Sequence, residues 1–187
     1  MSAEYWKTSL SRLLNQNKNS LTRLAILGIG NELRGDDAAG MLVARALLAR
    51  ETIADAGHIL IVQADHAPEN VTGDLRRFAP GLVLLIDAAD MGKEAGTISL
   101  IPMERIEGMS ASTHSLPLSM LARYLKLELN CEVVLLGIQP KSIKPWGLLS
   151  AEVTQSIDTI VDEISTLCFG GLLNPASIQR AGQPNLF

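Results

Sequence analysis

The sequence predicts an α/β protein, a single domain in which a mostly parallel β-sheet is covered by helices on both faces. Three observations predict it. Short aliphatic runs alternate with helical apolar patterns along the chain, the order that right-handed strand-helix-strand crossovers require. Hydrophobic residues make up 47% of the 187 residues but aromatics only 4%, so the core must be aliphatic, as in sheets buried on both sides. A chain of this length can bury a sizeable core as one domain, and no internal repeat or second domain is visible.

Taken in order, Trp6, Leu10, Leu13 and Leu14 fall at helical spacing and predict a short amphipathic helix over residues 4 to 14. Asn15 to Ser20 then reads as a polar linker. The helix reads as an accessory element packed on the domain, with a docking element as the functional alternative. The stretch Leu24 to Gly40, LAILGIGNELRGDDAAG, reads as a strand, a tight turn at Gly28 and Gly30, and a helix N-terminus at Gly35-Asp36-Asp37. Leu42, Val43, Ala46 and Leu47 mark the inner face of a helix from about residue 38 to 50. Ile59 to Val62 is a short strand leading into Asp65-His66-Ala67-Pro68-Glu69, where Pro68 opens a helix with Val71, Leu75 and Phe78 inside.

Gly81 to Ile86 is a continuous aliphatic run and predicts a central strand with Asp87 at its C-terminal tip. Thr97 to Leu100 predicts an antiparallel edge strand, and residues 102 to 113, without periodicity, a surface loop. Pro117 begins a helix bearing Leu118, Leu121, Leu125 and Leu129, and Glu132 to Ile138 is a further strand. Ser150 caps a last helix striped by Val153, Ile157, Ile160, Val161 and Ile164, which Gly170-Gly171 stops. The chain thus divides into an N-terminal extension (1–23), the domain proper (24–168) and a loose tail (169–187).

Several function classes are disfavoured. Sixteen basic against 20 acidic residues give a net charge of -4, with no basic run or stripe to track nucleic acid. A dinucleotide fingerprint needs a third glycine where Leu33 stands, and a phosphate-cradling loop would not follow Gly35 with two acids. Cys131 and Cys168 lie far apart without CxxC spacing, as expected of buried thiols in a reducing compartment. No apolar run has signal-peptide length or approaches the roughly 18 residues of a membrane span, so the expectation is a cytoplasmic protein with no membrane insertion.

The chemistry-bearing residues gather at one predicted edge. Ligands of such sheets collect beyond the carboxyl ends of the strands, where Asp37, Asp87 and His114 all fall. Each has an ordinary reading: Asp36 or Asp37 as a helix N-cap, His114 as a cap or solvated loop residue, and Asp65 and His66 as turn and capping groups. The ordinary reading is weakest for Asp87, because an ionised acid after Leu84-Leu85-Ile86 is costly to bury without a cation or hydrogen-bond donors. Two carboxylates and one imidazole make an O,O,N site suited to a divalent transition metal, with coordination positions left open for water or substrate.

At these residues the sequence resembles the nickel-iron hydrogenase maturation endopeptidases, and within them the branch serving formate hydrogenlyase-type hydrogenases. The blocks carrying the resemblance are GIGNELRGDDAAG (Gly28 to Gly40), DHAPEN (Asp65 to Asn70), LLIDAADMG (Leu84 to Gly92), THSLPL (Thr113 to Leu118) and LLGIQP (Leu135 to Pro140), in the family's order and separation. The resemblance runs from about Leu24 to Ile164. It implies a three-layer α/β/α sandwich around a five-stranded twisted sheet, in a monomer. It also implies that Asp37, Asp87 and His114 form the metal-contacting and catalytic cluster, with Asp36 left to capping and loop structure.

The implied reaction is one cut that releases a C-terminal extension from the hydrogenase large-subunit precursor after nickel insertion. Nickel would be contacted in the precursor rather than kept as a permanent cofactor. Three mechanisms stay open at this point: the cluster grips substrate nickel as a condition for cleavage; it holds a metal that polarises the scissile carbonyl; or Asp37 and Asp87 share a proton as an aspartic-type dyad. The first is preferred, since His114 has no purpose in a pure dyad and no HExxH helix is present. The rival function is a nickel-binding checkpoint or chaperone that recognises the precursor without cutting it.

Overall fold

The computed structural model describes residues 5–18, 23–50, 57–65, 68–106 and 118–169. Five strands, β1 (Leu24–Ile29), β2 (Ile59–Asp65), β3 (Leu82–Ala88), β4 (Ile98–Pro102) and β5 (Glu132–Ile138), form one sheet in the order β2-β1-β3-β5-β4. The pairs β1/β2, β1/β3 and β3/β5 are parallel, and β4 runs antiparallel to β5 at the edge. Among the described residues five helices longer than one turn flank the sheet: α1 (Tyr5–Lys18), α2 (Ala39–Leu48), α3 (Thr72–Phe78), α4 (Leu118–Leu129) and α5 (Ala151–Phe169).

Alternation along the strands sorts side chains to two cores. In β1, Leu24 and Ile26 face one side with α1, α2 and α5, through Trp6, Leu10, Val43, Leu47, Val153, Ile157 and Ile160. Ala25, Leu27 and Ile29 face the other side with α3 and α4, through Leu75, Leu121 and Leu125. Both faces of β3 are buried along its whole length, which is why its sequence is a run of aliphatics rather than an alternation. The three-layer sandwich and the antiparallel edge are as expected from the sequence.

The elements differ from expectation mainly at their ends. Helix α1 continues to Lys18, through residues taken as linker, because Gln and Lys are compatible with a helix once its apolar face is anchored. That anchoring is deep: Leu10 is fully buried, and Trp6 and Leu14 nearly so. The helix beginning at Pro68 is a 3-10 turn, Pro68–Val71, before α3 starts. The loop predicted over 102 to 113 begins with one helical turn, Met103–Ile106. Asp87 stands at the C-terminal tip of β3 as expected, its penultimate residue, paired with Gly137 of β5. His66, His114, the end of the predicted loop, Gly170-Gly171 and the C-terminal tail lie outside the described residues.

Candidate functional site

The strand order creates one crevice. From β1 the chain crosses through α2 to β2 on one side, whereas β3, reached through α3, lies on the other side of β1. The helices on either side of this switch cover opposite faces, so the carboxyl ends of β1 and β3 form the switch point at which sheets of this kind bind ligands.

Asp37 stands on a single 3-10 turn, Gly35–Ala38, which packs against β3. The turn is pulled tight over the end of β1. Gly30 adopts φ +145, and a Cβ on it would stand 1.8 Å from Asp37 O, the carbonyl that accepts the Asn31 N–H at 3.1 Å. The first turn of α2 follows at once. A Cβ on Gly40 would lie 2.0 Å from Ile86 O and 2.4 Å from Ile29 O, so α2 starts directly across the ends of β1 and β3. Asp37 precedes that contact in α2's lead-in, and Asp87 follows Ile86 in β3. The two acids are 2% and 1% exposed.

Asp36, fully buried beside Asp37, faces away into the connection between β5 and α5. Its Oδ2 accepts the N–H groups of Lys141 at 2.7 Å and Ser142 at 3.0 Å and the Ser150 hydroxyl at 3.1 Å. Its Oδ1 accepts the Ser150 N–H at 2.7 Å, and its own N–H donates to Ser142 O at 3.1 Å. Burial pushes this carboxyl's pKa up, but the hydrogen bonds from Ser150, Ser142 and Lys141 together outweigh it and hold the group below the usual Asp value. Asp36 is therefore not an N-cap of its own turn. It is a clasp fastening the acid-bearing turn to the 141–150 loop, while Ser150 caps α5 through Val153 N–H at 3.4 Å.

A second clasp holds the loop after β3. Gln139, at the end of β5 and 6% exposed, accepts N–H groups from Met91 at 2.7 Å and Lys93 at 3.2 Å through Oε1. Its Nε2 donates to Asp90 Oδ1 at 3.1 Å. That bond, with the Gly92 N–H, holds the Asp90 carboxyl below its ordinary pKa. Sequence reasoning noted Gln139 only as part of a Gln-Pro pair; a buried amide needs partners, but its sequence neighbours do not say which.

Asp65 closes β2 on the surface with φ +51; its carbonyl accepts the Gly30 N–H at 3.1 Å and its N–H contacts Met41 Sδ at 3.1 Å, so its backbone trims the β1/β2 register. Glu32 pairs with Arg45 on the surface. Cys131 is buried, and burial pushes its pKa up. Asp37 and Asp87 are both buried, the first on a turn that packs against β3 and the second within β3, while His114 lies outside the described residues. Among those residues no group of three or more His, Cys, Asp and Glu could hold a metal ion. No helix among them is long and apolar enough to cross a membrane.

Fold and site together define a doubly wound α/β protein whose ligand edge presents buried carboxylates in place of a glycine-lined phosphate cradle. Residues 41–167 match the family described as hydrogenase maturation protease, a span that holds Asp87 and His114 and starts just after Asp37. A Methanocaldococcus jannaschii protein named as a candidate hydrogenase maturation protease is 38% identical over 156 residues, 81% of this chain and 91% of its own. The hydrogenase 3 maturation protease of Escherichia coli is 32% identical over 140 residues, 74% of this chain and 86% of its own. A crystal structure of the NiFe hydrogenase maturation protease HycI from Thermococcus kodakarensis superposes with a TM-score of 0.72 at 32% identity, covering 83% of this chain and 97% of that one.

The chain belongs to the hydrogenase maturation protease family. Proteolysis in hydrogenase maturation is the activity that membership gives it.

Proposed function

We propose that this chain is the endopeptidase that removes the C-terminal extension of a nickel-iron hydrogenase large-subunit precursor once nickel is in place. The observation that supports it most directly is the pair of buried acids, Asp37 on the turn that follows β1 and packs against β3, and Asp87 within β3. Oxygen donors from both, completed by the His114 imidazole, suit a borderline divalent ion that already has ligands of its own. Nickel is then cargo of the substrate. A precursor without it offers these residues no handle, which makes metal loading a condition for cleavage.

In this reading the protein's own contribution is position and exclusion of water. The two clasps, Asp36 and Gln139, fix the turn and the loop that border the crevice, so the acids need no rearrangement when the precursor arrives. Peptide hydrolysis further needs a general base and polarisation of the scissile carbonyl, and carboxylates at the crevice supply the base chemistry. The protein acts as a monomer in the cytoplasm.

The test is incubation of purified precursor, with and without nickel, and measurement of its mass. Nickel-loaded precursor should shorten and nickel-free precursor should not; equal cleavage of both rejects nickel gating. Asp37→Asn and His114→Ala should each abolish shortening while leaving circular dichroism nearly unchanged. Binding of loaded precursor by the wild-type protein without any loss of mass would make it a checkpoint rather than a peptidase.

A further inference from the structure

Beside the acid-bearing turn, two chain segments run against each other and leave three large apolar side chains in solvent. Trp146 N–H donates to Leu33 O at 2.6 Å, and Leu148 O lies 3.2 Å from where a Cβ on Gly35 would stand. Leu33 is 55% exposed, Trp146 79% and Leu148 91%. Among the described residues, the other exposed large apolar ones, Tyr5, Leu48, Met120 and Leu127, stand on helices α1, α2 and α4. Single exposed apolar residues are normal, but adjoining ones on neighbouring segments mark contact surfaces.

Two features show that the exposure is built rather than incidental. Trp146 adopts φ +59, a left-handed conformation that a bulky residue takes only at a cost and only where its surroundings impose it. The surroundings here are the Leu33 carbonyl and the Asp36 carboxylate, which grips the loop at Lys141, Ser142 and Ser150 on either side of Trp146. The same buried acid thus fixes both the turn that presents Asp37 and the loop that presents the indole.

We propose that Leu33, Trp146 and Leu148 form a docking platform for an apolar segment of the hydrogenase large-subunit precursor, next to the bond that is cut. This rests on the endopeptidase reading above. An endopeptidase must hold the polypeptide flanking the scissile bond, and the platform adjoins Gly35, the first residue of the turn carrying Asp37. Its single aromatic anchor ringed by aliphatic side chains is the composition in which a few residues dominate binding.

Cleavage and binding are read separately, with full-length protein and nickel-loaded precursor. Trp146→Gly removes the indole but suits φ +59, so the loop is kept and the melting temperature should be unchanged or raised. Its KM should rise at least about tenfold, the size of loss seen when an aromatic anchor is removed, with kcat altered less than about threefold. Leu148→Ser should raise KM in the same direction, whereas Leu127→Ser, an exposed site near the opposite end of the sheet, should leave both constants alone. In protein labelled with 5-fluorotryptophan, unlabelled precursor should shift the exposed Trp146 fluorine resonance and not that of buried Trp6.

Wild-type KM in both platform variants, or a Trp146 resonance indifferent to precursor, overturns the platform and leaves the peptidase intact. The reverse result separates as cleanly: precursor that shifts Trp146 but is never cut removes the peptidase reading and keeps the platform. Self-association of the wild-type protein that Trp146→Gly abolishes at constant KM assigns the surface to a second copy of this chain and likewise overturns the proposal.

Discussion

Replacing Asp36 with Ala tests whether one buried carboxylate ties the candidate site together. The substitution deletes an acceptor for three backbone N–H groups and one hydroxyl, at 2.7 to 3.1 Å. Hydrogen bonds to a charged group contribute about 1.5–3 kcal/mol each, and stranded buried donors cost about 1–3 kcal/mol. Lys141 is exposed and Ser142 and Ser150 are half-buried, so water can reach some of the released N–H groups. The expected loss is therefore about 3–5 kcal/mol rather than the full sum.

For a chain of this size that corresponds to a fall in Tm of about 10 °C, measurable by circular dichroism, with a matching shift in urea midpoint. The pH dependence adds a signature. The folded carboxyl is held below its ordinary pKa, so its contribution is complete above the unfolded value of about 3.9 and disappears as pH falls through the folded value. The gap between wild type and Asp36→Ala should accordingly be full at pH 7 and narrow below about pH 4. A variant within about 1 kcal/mol of wild type at pH 7, or a gap that widens on acidification, refutes the clasp.

Two other substitutions probe how the crevice is framed. Gly40→Ala gains helix propensity of about 1 kcal/mol but drives a methyl to 2.0 Å from Ile86 O, so net destabilisation of about 2 kcal/mol or more is expected from chemical denaturation. Gln139→Leu removes the donor holding Asp90, so the Asp90 carboxyl should titrate closer to its ordinary value in an NMR pH series, and amides of Met91 and Lys93 should exchange faster.

Much of the fold was legible because its signals are local. The unbroken aliphatic run before Asp87 could only be a strand buried on both faces, and the spacing of Val153, Ile157, Ile160 and Ile164 could only be one face of a long helix. Helix ends were less legible, since Asn15 to Lys18 carry no breaker and their helicity depends on Trp6, Leu10 and Leu14 being anchored elsewhere in the fold. The site divides similarly. Asp37 and Asp87 could be assigned to one edge from topology alone, but the partners of Asp36 lie more than a hundred positions away in a connection with no periodic pattern. Nothing in GDDA says which acid turns toward the loop. That Asp36 is the one bound to the loop is written in the fold, as is the exposure of Trp146, which in sequence reads as part of an irregular connection.

Helix α1 precedes every block by which the family is recognised, yet it supplies Trp6, Leu10 and Leu14 to the core that α2, α5 and three of the strands share. A version trimmed to begin at the first strand would open a greasy trench along β4 and α5, against which α1 rests. Such shortened material would tend to clump, and a poor preparation of it would say little about catalysis.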